Sequence, residues 1–168
     1  MPLPGKPLEP RELARLCHKA GWRDLELVKA VAVCLSESAG YPLAYHDNTG
    51  AKPSRDVGLF QINIPYEKVG TDYEKALYEV TVNIDRARAM FLERYWQPWY
   101  GYTNGYAMST DWYRPDGKPS GRYLMKAIRG VGNFYAEHFK VEPAPLFPKL
   151  RAPKPSSPPS KKDERRQT

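Results

Sequence analysis

The stretch from Asp24 to Ser38 constrains this chain more than any other. Leu27, Val28, Val31, Ala32 and Leu35 recur there at helical spacing. Ala30-Val31-Ala32-Val33-Cys34 is apolar on nearly every side. A helix of that kind is buried at the centre of a domain, so the rest of the chain must wrap it. Asp24 is expected to cap its start, and Gly40 and Pro42 to stop it. Near its end stands Glu37, four residues after Val33 and three after Cys34, hence on their face. A carboxylate on an apolar face must be neutral or bonded. From the residues alone two readings stay open: a structural Glu bonded to amides of the next loop, or an acid kept protonated for chemistry.

The remaining elements are predicted from spacing and turn residues. A first helix is expected over Pro10–Lys19, with Leu13, Leu16 and Cys17 inward and Gly21 ending it. Residues 41–57 are turn-rich and predict a loop or small irregular hairpin, followed by an extended segment from Leu59 to Ile64. Gly58 within that apolar run predicts close backbone approach by a ligand. Asp72–Leu77 can begin a helix, and a clearer one is expected over Val82–Arg94 with Ile84, Ala87, Met90 and Phe91 inward. Residues 96–113 read as an aromatic loop and 114–121 as a polar insertion. A last helix is expected from Arg122 to Phe139, with Leu124, Ile128, Val131 and Tyr135 inward; Gly130 and Gly132 weaken it. From Glu142 onward Pro is too dense for packed structure. The expected organisation is an extended segment 1–9, one domain 10–142, and a disordered Pro-rich basic tail 143–168.

Charge is unevenly spread. The formal net charge of the chain is +7. Residues 149–168 carry seven Lys/Arg against two acids, a net +5, which leaves +2 for residues 1–148. The folded part is therefore near neutral, and no nucleic-acid recognition motif accompanies the basic tail, so no nucleic acid is expected as partner. No apolar run approaches the roughly 20 residues of a membrane span. Residues 1–10 carry no apolar signal segment, so delivery to any exported site is expected by another route. Cys17 and Cys34 both fall in apolar helical patterns and are expected to be buried free thiols. Neither they nor the scattered His show metal-ligand spacing, and no metal or organic cofactor is expected.

The chemistry rests on Glu37, the tight turn at Ser38-Ala39-Gly40, and a second acid about twenty residues on, in Asp56-Val57-Gly58-Leu59-Phe60-Gln61-Ile62-Asn63. Breaking a glycosidic bond needs an acid of raised pKa for the leaving oxygen. It also needs a negative group or a positioned water for the oxocarbenium-like centre. Leu35-Ser36-Glu37-Ser38-Ala39-Gly40 resembles the Glu-Ser motif of the lysozyme-like superfamily. The segment from Asp56 to Asn63 resembles its Gly-Leu-x-Gln-Ile-Asn motif. Asn83-Ile84-Asp85-Arg86-Ala87-Arg88-Ala89 and Trp96-Gln97-Pro98-Trp99-Tyr100-Gly101-Tyr102 match in the same order. The resemblance spans about residues 10–140 and is nearest to actinobacterial and phage lysozyme-like domains, related to soluble lytic transglycosylases.

The resemblance implies a mainly α, α+β lysozyme-like fold with a central buried helix and a small irregular β region beside a glycan cleft. It implies Glu37 as general acid. Many relatives carry a small residue such as Ser where Asp56 stands. An Asp there resembles animal-type lysozymes, in which it is the second catalytic carboxylate. A loop Asp bonded to local amides, or Asp47 in its place, remain the other readings. Gln61, Asn63 and Tyr102 match cleft-lining positions, with Ser38 and Trp99 as further substrate-binding candidates; Trp96 and Trp99 also read as core or cleft wall. The implied substrate is peptidoglycan, cut between N-acetylmuramic acid and N-acetylglucosamine by a monomeric enzyme. Phage virion proteins are the other expected partners, and the virion or host cytoplasm the expected location. A lytic transglycosylase, and a non-catalytic wall-binding or virion structural protein on the same scaffold, are the rival readings.

Overall fold

The computed structural model describes residues 5–109 and 122–139. In chain order the elements are α1 (Pro10–Lys19), α2 (Asp24–Ser38), β1 (Tyr45–Asn48), β2 (Ser54–Val57), β3 (Ile62–Pro65), a short 3₁₀ turn (Tyr66–Lys68), α3 (Asp72–Leu77), α4 (Val80–Arg94), α5 (Tyr100–Thr103) and α6 (Tyr123–Phe139). The apolar helix α2 is the centre: Leu27 and every residue from Ala30 to Leu35 are buried. Helices α1 and α6 pack on it and on each other. The three strands form an antiparallel sheet in the order β1-β2-β3. Its register sets Asp56 of β2 opposite His46 on one side and Asn63 on the other.

Several expectations shift, each for a tertiary reason. The segment Leu59–Ile64 is not extended throughout: residues 58–61 make a tight turn and the strand begins at Ile62. Val57 through Phe60 are all buried, so no alternation survives. Gly58 and Gln61 both have positive φ, 76° and 46°. The close approach at Gly58 is made by the chain itself. A Cβ there would run into the side chain of Asn83 and the carbonyl of Leu77. Helix α4 begins two residues early, at Val80. The aromatic stretch after Trp96 includes one short helix, α5. The entrance to α2 has no side-chain cap from its N-cap Arg23, and Asp24 sits at φ 47°.

Helix α6 turns a different face inward. Its buried residues are Ala127, Gly130, Val131 and Phe134, while Leu124, Ile128 and Tyr135 are half-buried. The cause is the crossing with α1. A Cβ on Gly130 would stand 2.6 Å from atoms of Pro10. Small residues let the two helices meet there, so what reads as a weak helix position is the contact point. Ala14 is likewise buried in α1, where Leu16 is only half-buried. Before α1 the chain is strapped down: the Leu8 amide donates to the Gly40 carbonyl at 2.9 Å, at the turn that follows α2.

The aromatic residues form one side of the core. Trp22 is fully buried and packs near Phe60, Phe91 and Trp96. Cys17 and Cys34 are buried free thiols. Burial pushes the Cys34 thiol up to about 12 and the Cys17 thiol up as well, so neither is a nucleophile near neutral pH. Among the described residues no helix is long and apolar enough to cross a membrane. No group of three His, Cys, Asp or Glu among them is placed to hold a metal ion. The insertion at 114–121 and the tail expected from residue 143 lie outside the described residues.

Candidate active site

Glu37 sits in the last turn of α2, where buried Cys34 and Leu35 precede it and two left-handed residues, Ala39 and Gly40, swing the chain away. Ser38 shapes that exit. Its hydroxyl donates to the Cys34 carbonyl at 3.0 Å and accepts the Gly40 amide at 3.2 Å. The Glu37 side chain lies in a cleft of about 420 Å³. Burial raises its pKa above the ordinary range, the Gly101 amide bonded to it pulls the other way, and the negative charge of Asp56 pushes it up further. The last turn of α2 contains no basic residue to offset the negative end of the helix dipole.

Asp56 shares the cleft but has different surroundings. One carboxylate oxygen accepts the Asn48 side-chain amide at 2.9 Å, the other the Asn63 side-chain amide at 2.7 Å. These bonds aim the carboxylate. Asp47, one residue from His46 on the same strand, is occupied elsewhere. Arg55 grips both its oxygens at 2.7 and 2.9 Å and holds its carboxyl below the usual range. Arg55 also reaches buried Glu74 at 2.9 Å, tying the sheet to α3.

The other candidates divide into two groups. Ser38 and Gln61 line the cleft. Gln61 spends its amide hydrogens on the Ala44 and Gly58 carbonyls, at 3.2 and 2.8 Å, which leaves its oxygen as acceptor. Asn63, Trp99 and Tyr102 are not part of the lining. Asn63 is exposed and acts on Asp56. Trp99 is buried and donates its indole N–H to the Phe60 carbonyl at 2.9 Å. Tyr102 is half-buried and stacks on Trp96 with ring centres 5.1 Å apart. Ser36, Tyr45, His46 and Tyr123 line the cleft and were not singled out in the sequence. The β1-to-β2 register would have pointed to His46, but it needed the fold.

Two residues outside the lining hold the site together. Asn83 is fully buried on α4. Its amide donates to the Val57 and Leu77 carbonyls, each at 2.9 Å, and its oxygen accepts the Phe60 amide at 2.9 Å. This one side chain satisfies the backbone of the turn that follows Asp56. Asn83→Ala should leave three buried backbone groups unpaired and lower stability by about 3 kcal/mol or more. Urea unfolding checks this; a loss under about 1 kcal/mol would mean that the turn holds without it. Gly101 is the second. Its amide donates to Glu37 at 3.3 Å, and a Cβ there would stand 2.8 Å from the same carboxylate oxygen and 2.9 Å from the Ser36 hydroxyl. Because Trp99 anchors the aromatic stretch to the 58–61 turn, the backbone of α5 closes over Glu37.

A half-buried acid sharing one cleft with a second carboxylate held by amide donors is suited to protonating a leaving oxygen beside a developing positive charge. Comparison with known families agrees with the sequence motifs. A family model described as a lysozyme-like domain matches residues 14–100. That stretch runs from α1 through the sheet and α4 to the first residue of α5. No curated protein matches the chain. The match covers just over half of the 168 residues, and with the buried central helix, the three-stranded sheet and the cleft between them it makes this chain a member of the lysozyme-like domain family.

Proposed function

We propose that this protein cleaves the glycan strands of peptidoglycan between N-acetylmuramic acid and N-acetylglucosamine, as a muramidase. The observation that carries the reading is Glu37, half-buried with a raised pKa, in one cleft with the hydrogen-bonded Asp56. Protonated Glu37 gives its proton to the glycosidic oxygen as the bond breaks. Asp56, fixed by Asn48 and Asn63, supports the oxocarbenium-like centre. The Gly101 amide then stabilises the Glu37 carboxylate that remains, and in that state Glu37 takes a proton from the attacking water. The sugar becomes a reducing end carrying the added water. Tyr45 and Tyr123 offer aromatic faces to the sugar rings.

The contact between Gly101 and Glu37 is compatible with a second reading. The Gly101 amide steadies the Glu37 carboxylate once its proton has been given up. A lytic transglycosylase needs only such a group, because the muramic 6-hydroxyl takes the place of water. Digestion of purified cell walls followed by mass spectrometry separates the two: hydrolysis leaves ends heavier by one water than 1,6-anhydro ends. Clearing of the walls with hydrated ends is expected; intact walls after prolonged digestion would reject both readings in favour of a binding or structural role.

Gly101 offers a sharper check on the geometry. Gly101→Ala should displace the Glu37 carboxylate toward the cleft and cut turnover by roughly tenfold to a hundredfold, as misplacement by an ångström can. Substrate affinity should change little. Turnover at the wild-type rate would show that α5 does not position Glu37.

A further inference from the structure

A second groove adjoins the cleft and lies mostly outside what the family match covers. It measures about 540 Å³ and meets the cleft at Leu35 and Ala39, which line both. Its walls come from the strap before α1, the first turn of α1, and α6. Helix α6 lies beyond the matched residues 14–100. The Gly130–Pro10 contact sets the floor by bringing α6 against α1.

The two openings differ in charge. Among the described residues the cleft carries Glu37 and Asp56 and no Lys or Arg, and the groove carries Arg11, Lys126 and Arg129 against one acid, Glu9. Among the described residues Lys126 and Arg129 form no ion pair, and the single partner of Arg11 is Glu137 at 3.2 Å, with both side chains well exposed. An exposed pair of that kind binds weakly and can be exchanged. A ligand spanning both openings must therefore be uncharged where it meets the carboxylates and anionic where it meets the cations.

We propose that the groove binds the carboxylates of the peptide stems that the glycan carries. This rests on the peptidoglycan reading above. The sugar chain itself is largely neutral and fits the acidic cleft. The stem hangs from the muramic acid whose bond is cut, and its free carboxylates would be repelled by Asp56. The groove beside the cleft accepts them. The charge difference thus fixes which way round the strand lies, and it makes stem-bearing glycan a better substrate than bare glycan.

The test compares rates on glycan strands with stems intact and on strands stripped by an amidase. Hydrolysis of the lactyl amide leaves a lactyl carboxylate on each muramic acid, the same for wild type and variant, so the change in rate ratio between the two proteins is the readout. The wild-type chain should prefer intact strands. In the double variant Lys126→Glu, Arg129→Glu the ratio of the two rates should fall roughly threefold to tenfold, the size expected for reversing two exposed charges. Both side chains are exposed on α6, so the fold should survive. Calorimetry with a disaccharide-peptide and the bare disaccharide reads binding apart from cleavage. The peptide should tighten binding to the wild type and not to the variant. Wall cleavage with equal ratios in both proteins overturns the groove and leaves the proposed activity standing. Selective binding of the disaccharide-peptide without any cleavage supports the groove and removes the activity. Equal affinity for both ligands in the wild-type chain overturns the groove.

Discussion

Glu37→Gln should abolish wall clearing, with a loss on the order of 10²- to 10⁴-fold for removal of a general acid. The same variant should be more stable than the wild type at neutral pH. Glu37 has a folded pKa above its unfolded value, through burial first and the Asp56 charge last, against the Gly101 amide. A raised carboxyl disfavours ionisation in the folded state. The wild type therefore loses stability as pH rises from the unfolded value to the folded one, and keeps that loss above it. Gln cannot ionise, so its melting temperature should match the wild type in acid and exceed it near pH 7. Activity should persist to a higher pH than an ordinary carboxyl allows, because the acid form survives longer. Zymograms and melts at two pH values check both halves. Clearing by the Gln variant at the wild-type rate would end the assignment of Glu37.

Replacing Asp56 should separate hydrolase from transglycosylase. If the carboxylate supports the oxocarbenium-like centre, Asp56→Asn should lower the rate by about 10²-fold or more. Loss of its charge should also lower the Glu37 pKa, moving the basic limb of the rate profile to lower pH. Asn is not an innocent substitute here. Asn48 and Asn63 each donate to one oxygen of Asp56, and an amide offers a single acceptor oxygen. One of the two contacts becomes donor against donor. Asp56→Ser avoids that clash and is the cleaner arm. An inactive Ser variant, with hydrated ends from the wild type, supports two carboxylates. An active Ser variant that makes only anhydro ends leaves Glu37 as sole acid and base.

Sequence alone determined the central helix, because periodicity reports burial directly. The bounds of α1 and α2 match those expected from the Pro, Gly and apolar spacing. Glu37 was legible for the same reason: a carboxylate among Val33, Cys34 and Leu35 contradicts its surroundings, and the contradiction is local. The short strands were less legible, because residues 58–61 look extended until Asn83 takes hold of their backbone. Its partners stand 23 and 26 residues away along the chain, beyond any local pattern. Only the tertiary structure decided the inner face of α6, since the near approach of Pro10 leaves room for no side chain at Gly130. It also decided what touches Glu37. Gly101 lies 64 residues away in sequence and acts through an amide and a missing side chain. Neither leaves a mark in composition or spacing, because a backbone group is the same in every residue and its use depends on where the fold delivers it.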